Sequence, residues 1–372
     1  HRDRVRRRFT LVTQGLVVVK IGTSSLTDDQ GFIAPGHIER LCEQVAGLRN
    51  DDYQVAIVTS GAISAGRAVI APHEDDIVTL QAVSAVGQTR LMQVYESSLQ
   101  SHGYVGGQIL LAPGDFFERE QYLHARQTLR RLLDLGVVPI INENDATAAD
   151  AIRFGDNDRI SALVANTLEA DLLVILTDTP GVLTADPRID ASASLIEEIN
   201  AVDRELDAIV SGPGVRGSGG MASKLAAARM AAWSGIRTVI AAADRPNVLS
   251  DAAAGVPGVG TQVLARDSSL SAKRLWIAFA VQSEGRLIVD QGAKQALTEQ
   301  GTSLLPIGVV EVVGEFVEGA AVDVAGPDGK IFAKGLISKR SDQASESAGR
   351  RSDSIDGHRD ELIHRDDLVL LP

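Results

Sequence analysis

The chain has 372 residues, 44% of them hydrophobic, with 36 Lys and Arg against 49 Asp and Glu and a formal net charge of −13. That length exceeds what one compact core usually holds, so two domains are expected, and the acid excess disfavours a nucleic-acid backbone as a partner. No apolar run is long enough to span a bilayer, the basic start with Arg6, Arg7 and Arg8 lacks the apolar core of a secretory signal, and the lone Cys42 excludes an internal disulfide or a thiolate zinc cluster, so a cytoplasmic protein without membrane contact is expected.

Residues 16–20 form a β-branched run and predict a strand. Helical spacing over 37–49 puts Ile38, Leu41, Val45 and Leu48 on one side, with Cys42 on the same helix. A strand is expected at 55–59, a helix at 80–100, a strand at 107–111 and a helix at 121–135 stopped by Gly136. Strands follow at 137–142 and 171–177, then an Ala-rich helix at 224–234 and a strand at 238–242. Strands apolar on both faces, alternating with helices, predict an α/β fold. It is a three-layer αβα sandwich around a mostly parallel sheet.

The character changes after Arg266. Residues 267–273 are polar and read as a linker, so the expected domains are 1–266, with its core at 11–266, and 274–372. The second is small and β-rich, with short runs at 287–289, 309–313, 321–324, 331–335 and 368–371. Pro327-Asp328-Gly329 predicts a turn, because Pro pre-sets one dihedral and Gly accepts the next. Residues 339–361 are polar and are expected as a mobile loop or a helix with little core.

Five segments carry residues suited to anions, most of them where strands end. Lys20-Ile21-Gly22-Thr23-Ser24-Ser25 ends a strand in Lys, then Gly and hydroxyls; it reads as a phosphate contact or as an ordinary turn with a surface-seeking lysine. Thr59-Ser60-Gly61-Ala62 is a tight turn into a helix start, whose free N–H groups suit a carboxylate or phosphate. Asn142-Glu143-Asn144-Asp145, followed by Phe154-Gly155-Asp156-Asn157-Asp158, gathers more carboxylates and amides than turn chemistry needs. Thr177-Asp178 leaves another buried strand, at the edge where open α/β sheets bind ligands. Ser218-Gly219-Gly220-Met221-Ala222-Ser223-Lys224 opens a helix with a glycine loop and a cation, though not with P-loop spacing. Gly212-Pro213-Gly214-Val215-Arg216-Gly217 matches a dinucleotide fingerprint by chance, since no strand precedes it.

These pieces, in this order, resemble the amino-acid kinase family over nearly the whole chain, from about Leu16 to Leu371. Gln81 with Ala85-Val86-Gly87-Gln88, and Ala185-Asp186-Pro187-Arg188 after Thr177-Asp178, add to the match. The Asn-Glu-Asn-Asp and Gly-Asp-Asn-Asp pair resembles the branch that acts on free glutamate, and the C-terminal region resembles a PUA domain of barrel type, down to the closing His364-Arg365-Asp366-Asp367. The resemblance implies phosphoryl transfer from ATP to the γ-carboxylate of L-glutamate, a first step toward proline. A carboxylate nucleophile needs no general base. It needs positive charge around the meeting anions.

Residue by residue, Lys20 and Lys224 match the lysines that stabilise the transferring phosphoryl, and Asp158 matches the acid that orients them. Ser60, Asp145 and Asn157 match the glutamate site. Thr177, Asp178, Ser218, Gly219, Gly220, Met221, Ala222, Ser223 and Lys224, with Lys20, match the ATP site. Magnesium is expected on the ATP phosphates rather than on protein ligands. Inhibition by L-proline, a homo-oligomer built through the kinase domains, and hand-over to a glutamyl phosphate reductase are further implications. Ser218 stands where the family usually has Thr, Val182-Leu183 where it has Leu-Tyr, and His124 where Asn is common. Two other readings stay open. One is a relative acting on N-acetylglutamate, aspartate or a carbamate. The other is an RNA-binding regulator, against which residues 274–372 carry 11 Lys and Arg and 16 Asp and Glu, a net of −5.

Overall fold

The computed structural model describes residues 13–71, 74, 76–116, 118–147, 157–185, 190, 192–200, 219–266, 270–281, 283–350 and 361–371. The chain divides into two units, His1–Ser269 and Leu270–Pro372.

In the first unit, strand β1 (Gly15–Ile21) is buried almost throughout, as its Val-rich sequence requires. Helix α1 (Pro35–Asn50) starts with Pro at its first turn and buries Ile38, Leu41, Cys42, Val45 and Leu48. Then come β2 (Tyr53–Val58), α2 (Ala62–Ile70), α3 (Ile77–Ser101), β3 (Gly106–Leu111) and α4 (Arg119–Asp134). Next are β4 (Val138–Glu143), α5 (Asn157–Leu168), β5 (Leu172–Thr177) and β6 (Glu198–Ile199). The unit ends with α6 (Gly219–Trp233), β7 (Arg237–Ala242), α7 (Val248–Ala254) and β8 (Thr261–Val263). The eight strands lie in the order β3-β4-β2-β1-β5-β7-β8-β6. From β3 through β7 every neighbouring pair is parallel, and β8 reverses against β7. The expected αβα sandwich with a mostly parallel sheet is therefore found.

Strand alternation decides which side chain meets which helical layer. Val17, Val19 and Ile21 join Val55, Ile57, Leu172 and Val174 in one core with residues of α1, α3 and α7. Lys20 has the opposite parity, with Leu16 and Val18. It therefore points to the other layer, where α5 and α6 pack together.

Helix α3 is capped by Asp76, whose carboxylate accepts from Val78 N at 3.0 Å and Thr79 N at 3.1 Å. It crosses α2 with almost no gap. A Cβ at Gly87 would lie 1.7 Å from the Ala62 carbonyl oxygen, and one at Gly66 would lie 2.0 Å from that of Val83. Only glycine at both positions permits that approach.

The second unit holds β9 (Gly285–Val289), β10 (Val309–Val313), β11 (Ala321–Ala325), β12 (Ile331–Leu336) and β13 (Leu368–Leu370). They form one sheet, ordered β10-β9-β11-β12-β13, in which only the β9–β11 pair is parallel. Pro327-Asp328-Gly329 makes the expected turn, with Gly329 at φ 72° and its N–H donating to Gly326 O at 2.9 Å. The tract expected as a linker lies partly outside the described residues, and its last two residues open a short helix, Ala272–Leu275. Within 339–361, Ser341–Ser347 is helical and buries Ala344, while 351–360 lie outside the described residues. No helix among the described residues is long and apolar enough to cross a membrane.

Candidate active site

The parallel strands β4, β2, β1 and β5 all end at one edge of the sheet, with β1 central. From β1 the chain moves through β2 to one side of the sheet, and after β4 it crosses back to β5 on the other side, so the strand order reverses at β1 and a crevice opens at its carboxyl end. Lys20 is the penultimate residue of β1. Gly22 follows, and a Cβ there would come within 3.3 Å of the Lys20 ammonium.

Asp158 holds two lysines at once. Its Oδ1 is 2.6 Å from Lys20 Nζ and its Oδ2 is 3.4 Å from Lys224 Nζ. The Lys20 and Asp158 side chains are only 5% and 4% exposed, which makes this an interior ion cluster. Lys224 Nζ also donates to the Gly220 carbonyl at 3.2 Å. Burial pushes the Asp158 carboxyl up, but Lys20, Lys224 and a hydrogen bond from Ser223 outweigh it and hold the group below the usual carboxylate range. One anion facing two cations leaves a positive excess, which suits an incoming phosphate.

Next to this cluster lies a chain of amides. Asn157 Nδ2 donates to Ser60 Oγ at 3.2 Å and to Asn142 Oδ1 at 3.1 Å. The backbone N–H of Glu143 donates to Asn142 Oδ1 at 2.9 Å and to Asn157 Oδ1 at 3.2 Å. Asn142 Nδ2 donates to Gln88 Oε1 at 2.8 Å. Asp145 accepts from Ser84 Oγ at 3.0 Å. Burial raises the Asp145 carboxyl above its ordinary range, and the Ser84 hydrogen bond offsets part of that rise. Ser60 reaches its position through Gly61, whose φ of 96° turns the chain from β2 into α2.

The structure thus brings Lys20, Asp158, Lys224, Ser223, Asn157 and Ser60 into one connected set. Thr177 and Asp178 stand at the end of β5, with Thr177 Oγ1 donating to Asp178 Oδ1 at 3.0 Å. They share the sheet edge, since β5 pairs with β1 through Ile21↔Leu176. Ser218 lies outside the described residues, as does the segment of the rejected dinucleotide match, 212–217. Helix α6 already starts at Gly219, so Gly219, Gly220, Met221, Ala222, Ser223 and Lys224 form its first turns and not a loop. Asn157 and Asp158 likewise open helix α5, which the Asx-rich sequence does not announce. Val182 is fully buried, its N–H donating to Thr261 Oγ1 at 2.8 Å, and His124 is exposed on α4.

Sequence reasoning missed Ser84 and gave Gln88 and Asn142 no role. The available signal was their spacing. Ser84 and Gln88 are four apart on one helix, so they share a face, and Gly87 sits in the same stretch.

Residues 15–242 match the model of the amino acid kinase family, and residues 285–359 match that of the PUA domain. The glutamate 5-kinase of Pelobacter propionicus is 45% identical over 95% of this chain and 97% of its own length. That of Cupriavidus metallidurans is 47% identical with the same coverage, and that of Trichlorobacter lovleyi is 42% identical over 98% of this chain and 99% of its own. Among solved structures, carbamate kinase from Giardia lamblia covers 68% of this chain and 99% of its own, with a TM-score of 0.50 and 17% identity, which speaks to the fold alone. With matches of this length and identity, the chain belongs to the amino acid kinase family, in its glutamate 5-kinase branch, and carries a C-terminal PUA domain.

Proposed function

We infer that this chain transfers the γ-phosphoryl group of ATP to the γ-carboxylate of L-glutamate, giving L-glutamyl 5-phosphate and ADP. The observation that carries this reading is Asp158, which grips Lys20 and Lys224 directly beside the Asn157–Ser60 pair. A carboxylate oxygen of glutamate attacks the γ-phosphorus, and the bond from that phosphorus to the ADP oxygen breaks. No proton has to move. The difficulty is charge repulsion between substrate anions, and Lys20 and Lys224 lower it as charge spreads in flight. Asp158 keeps both ammonium groups on station and is the orienting acid.

Asn157 and Ser60 bind the glutamate, and Asp145 takes its ammonium group. The ATP site is assigned to Thr177, Asp178 and the 218–224 segment, with Lys20 reaching the phosphates. ATP is taken as its magnesium complex, which supplies charge neutralisation on the phosphates when bound. The catalytic unit is assigned to 11–266 and the PUA unit to 274–372. L-proline as feedback inhibitor, a homo-oligomer, a cytoplasmic setting and a reductase that consumes the labile acyl phosphate complete the proposal. The inhibitor, the homo-oligomer and the reductase are carried over from the family resemblance, and the cytoplasmic setting from the sequence reading.

The test is ADP release from purified protein with MgATP, comparing L-glutamate, N-acetylglutamate and L-aspartate, each with and without L-proline. Turnover on free glutamate, suppressed by proline, is the expected result. Turnover confined to another acid would move the substrate while leaving the chemistry. Silence on all three would remove the catalytic reading.

A further inference from the structure

We propose that Gln88 is a positioning residue of the amino-acid site, acting on substrate through Asn142 and Asn157. The inference rests on Asn157 being a glutamate ligand.

The polarity of the amide chain follows from one backbone group. A backbone N–H can only donate, and that of Glu143 points at Asn142 Oδ1 and Asn157 Oδ1. Both carbonyl ends are thereby fixed. Asn142 must then aim its Nδ2 the other way, and the group it meets is Gln88 Oε1 at 2.8 Å. Asn157 must present its Nδ2 to Ser60 and Asn142. Turning Gln88 over would set donor against donor.

Asn142 has no exposed surface, and Gln88 is 7% exposed. Water therefore does not stand in for a lost acceptor. Without Gln88 Oε1, the Asn142 Nδ2 is an orphaned buried donor, and such a group is costly enough to drive a side chain to rotate. Rotation of Asn142 withdraws the Oδ1 that steadies Asn157. The consequence falls on the group that faces glutamate, while the lysine cluster of Asp158 is held by separate contacts.

The rigidity of this arrangement comes from the helix crossing. Gly87, next to Gln88, packs against Ala62 with no room for a Cβ. Helix α3 cannot slide along α2 without a clash, so Gln88 is held at a fixed height beside β4. Ser84, one turn earlier, reaches Asp145 from the same face. One helix face thus touches both the amide chain and the acid proposed for the substrate ammonium.

The experiment is a double-mutant cycle on the full chain. Gln88→Met keeps the volume and removes the acceptor, while Gln88→Glu keeps an acceptor. Steady-state constants for glutamate and for ATP are measured for each, alone and in an Asn142→Ala background. The expected result for Gln88→Met is a glutamate KM raised roughly tenfold with the ATP KM unchanged, as befits one lost buried hydrogen bond. In the Asn142→Ala background the same change should add nothing, because its route to the substrate is already cut. Gln88→Glu should stay within about threefold of the wild type, since the acceptor survives. Full additivity in the cycle would overturn the proposal, and so would equal shifts in both KM values or equal effects of the Met and Glu changes. If Gln88→Met does not fold, the Gln88→Glu constants decide, a large rise in glutamate KM counting against the proposal. If wild-type protein turns over a different amino acid, the functional reading falls by itself, and the cycle is run on that substrate.

Discussion

The two units bury polar groups very differently. In the first, Lys20, Asn142, Glu143, Asn157, Asp158, Gln88 and Thr177 are all buried, and they gather where parallel strands end. In the second, the core is a cluster of Leu287, Val289, Leu297, Val322, Val324 and Ile363, with Lys334 as the one buried charge among the described residues. A parallel sheet with crossovers on both sides makes a crevice at a switch point, and burying charge there is tolerable because each charge has a partner. Among the described residues, the second unit's mostly antiparallel sheet has no crossover switch point of that kind, and the core packed on it is apolar apart from Lys334. Polar burial thus gathers at the candidate site of the first unit, whereas the core of the second unit is held by apolar contacts.

The sharpest way to break this comparison is Lys224→Ala. If the lysine acts on transition-state charge as proposed, turnover should fall by about 10²–10³-fold or more while the far-UV dichroism and melting curve stay near wild type. Near-normal turnover in the folded variant would sink the assignment of that lysine.

Asp158→Asn comes next and should cost both activity and stability. It leaves two lysines facing each other without their shared anion, and breaking such a buried pair costs about 3–5 kcal/mol. The pH dependence has a definite sign. The folded-state carboxyl is held below its ordinary range, so it adds stability above its unfolded pKa of about 3.9 and loses it as pH falls through the folded value. The stability gap between wild type and Asp158→Asn, read by urea unfolding, should therefore be full at pH 7 and shrink in acid. A gap that grows on acidification would contradict the ion cluster.

Asn157→Ala sharpens the split within the first unit. It should raise the glutamate KM by about tenfold or more and leave the ATP KM alone, since it removes hydrogen bonds on one side of the site only. An unchanged glutamate KM would take Asn157 out of the substrate pocket.

The smallest kinetic effect belongs to the second unit. Leu287→Ala empties part of a fully buried core and should cost about 2–5 kcal/mol of stability in that unit. Initial rates at 25 °C with saturating glutamate should not change. A large loss of rate under these conditions would mean that the second unit's core is coupled to the active site.

Cys42 shows how far a sequence reading reaches for a single residue. Its place among Ile38, Leu41 and Val45 predicts a helix face, and the structure buries it there, with burial and nearby Glu39 pushing the thiol up to about 12. It is an inert core residue. The same periodicity exposed the Val-rich strands, the Ala-rich helix and the change of character after Arg266. Local pattern suffices wherever one element meets one face.

Sequence by itself determined the αβα class and the two-unit plan, because strand polarity and apolar alternation are local properties, and its motifs with the family resemblance singled out Lys20, Asp158 and Lys224. What it could not determine was which partners these residues meet. Asp158 is 138 positions from Lys20 and 66 from Lys224, and their convergence depends on three elements docking on one edge of the sheet. Ser84 and Gln88 read as ordinary polar residues of a long helix. Only the glycine-to-carbonyl contact at Gly87, an event between two helices, turns them toward Asp145 and Asn142. Side-chain periodicity is written within a segment, whereas the direction of a buried hydrogen bond is settled only when segments meet and water leaves.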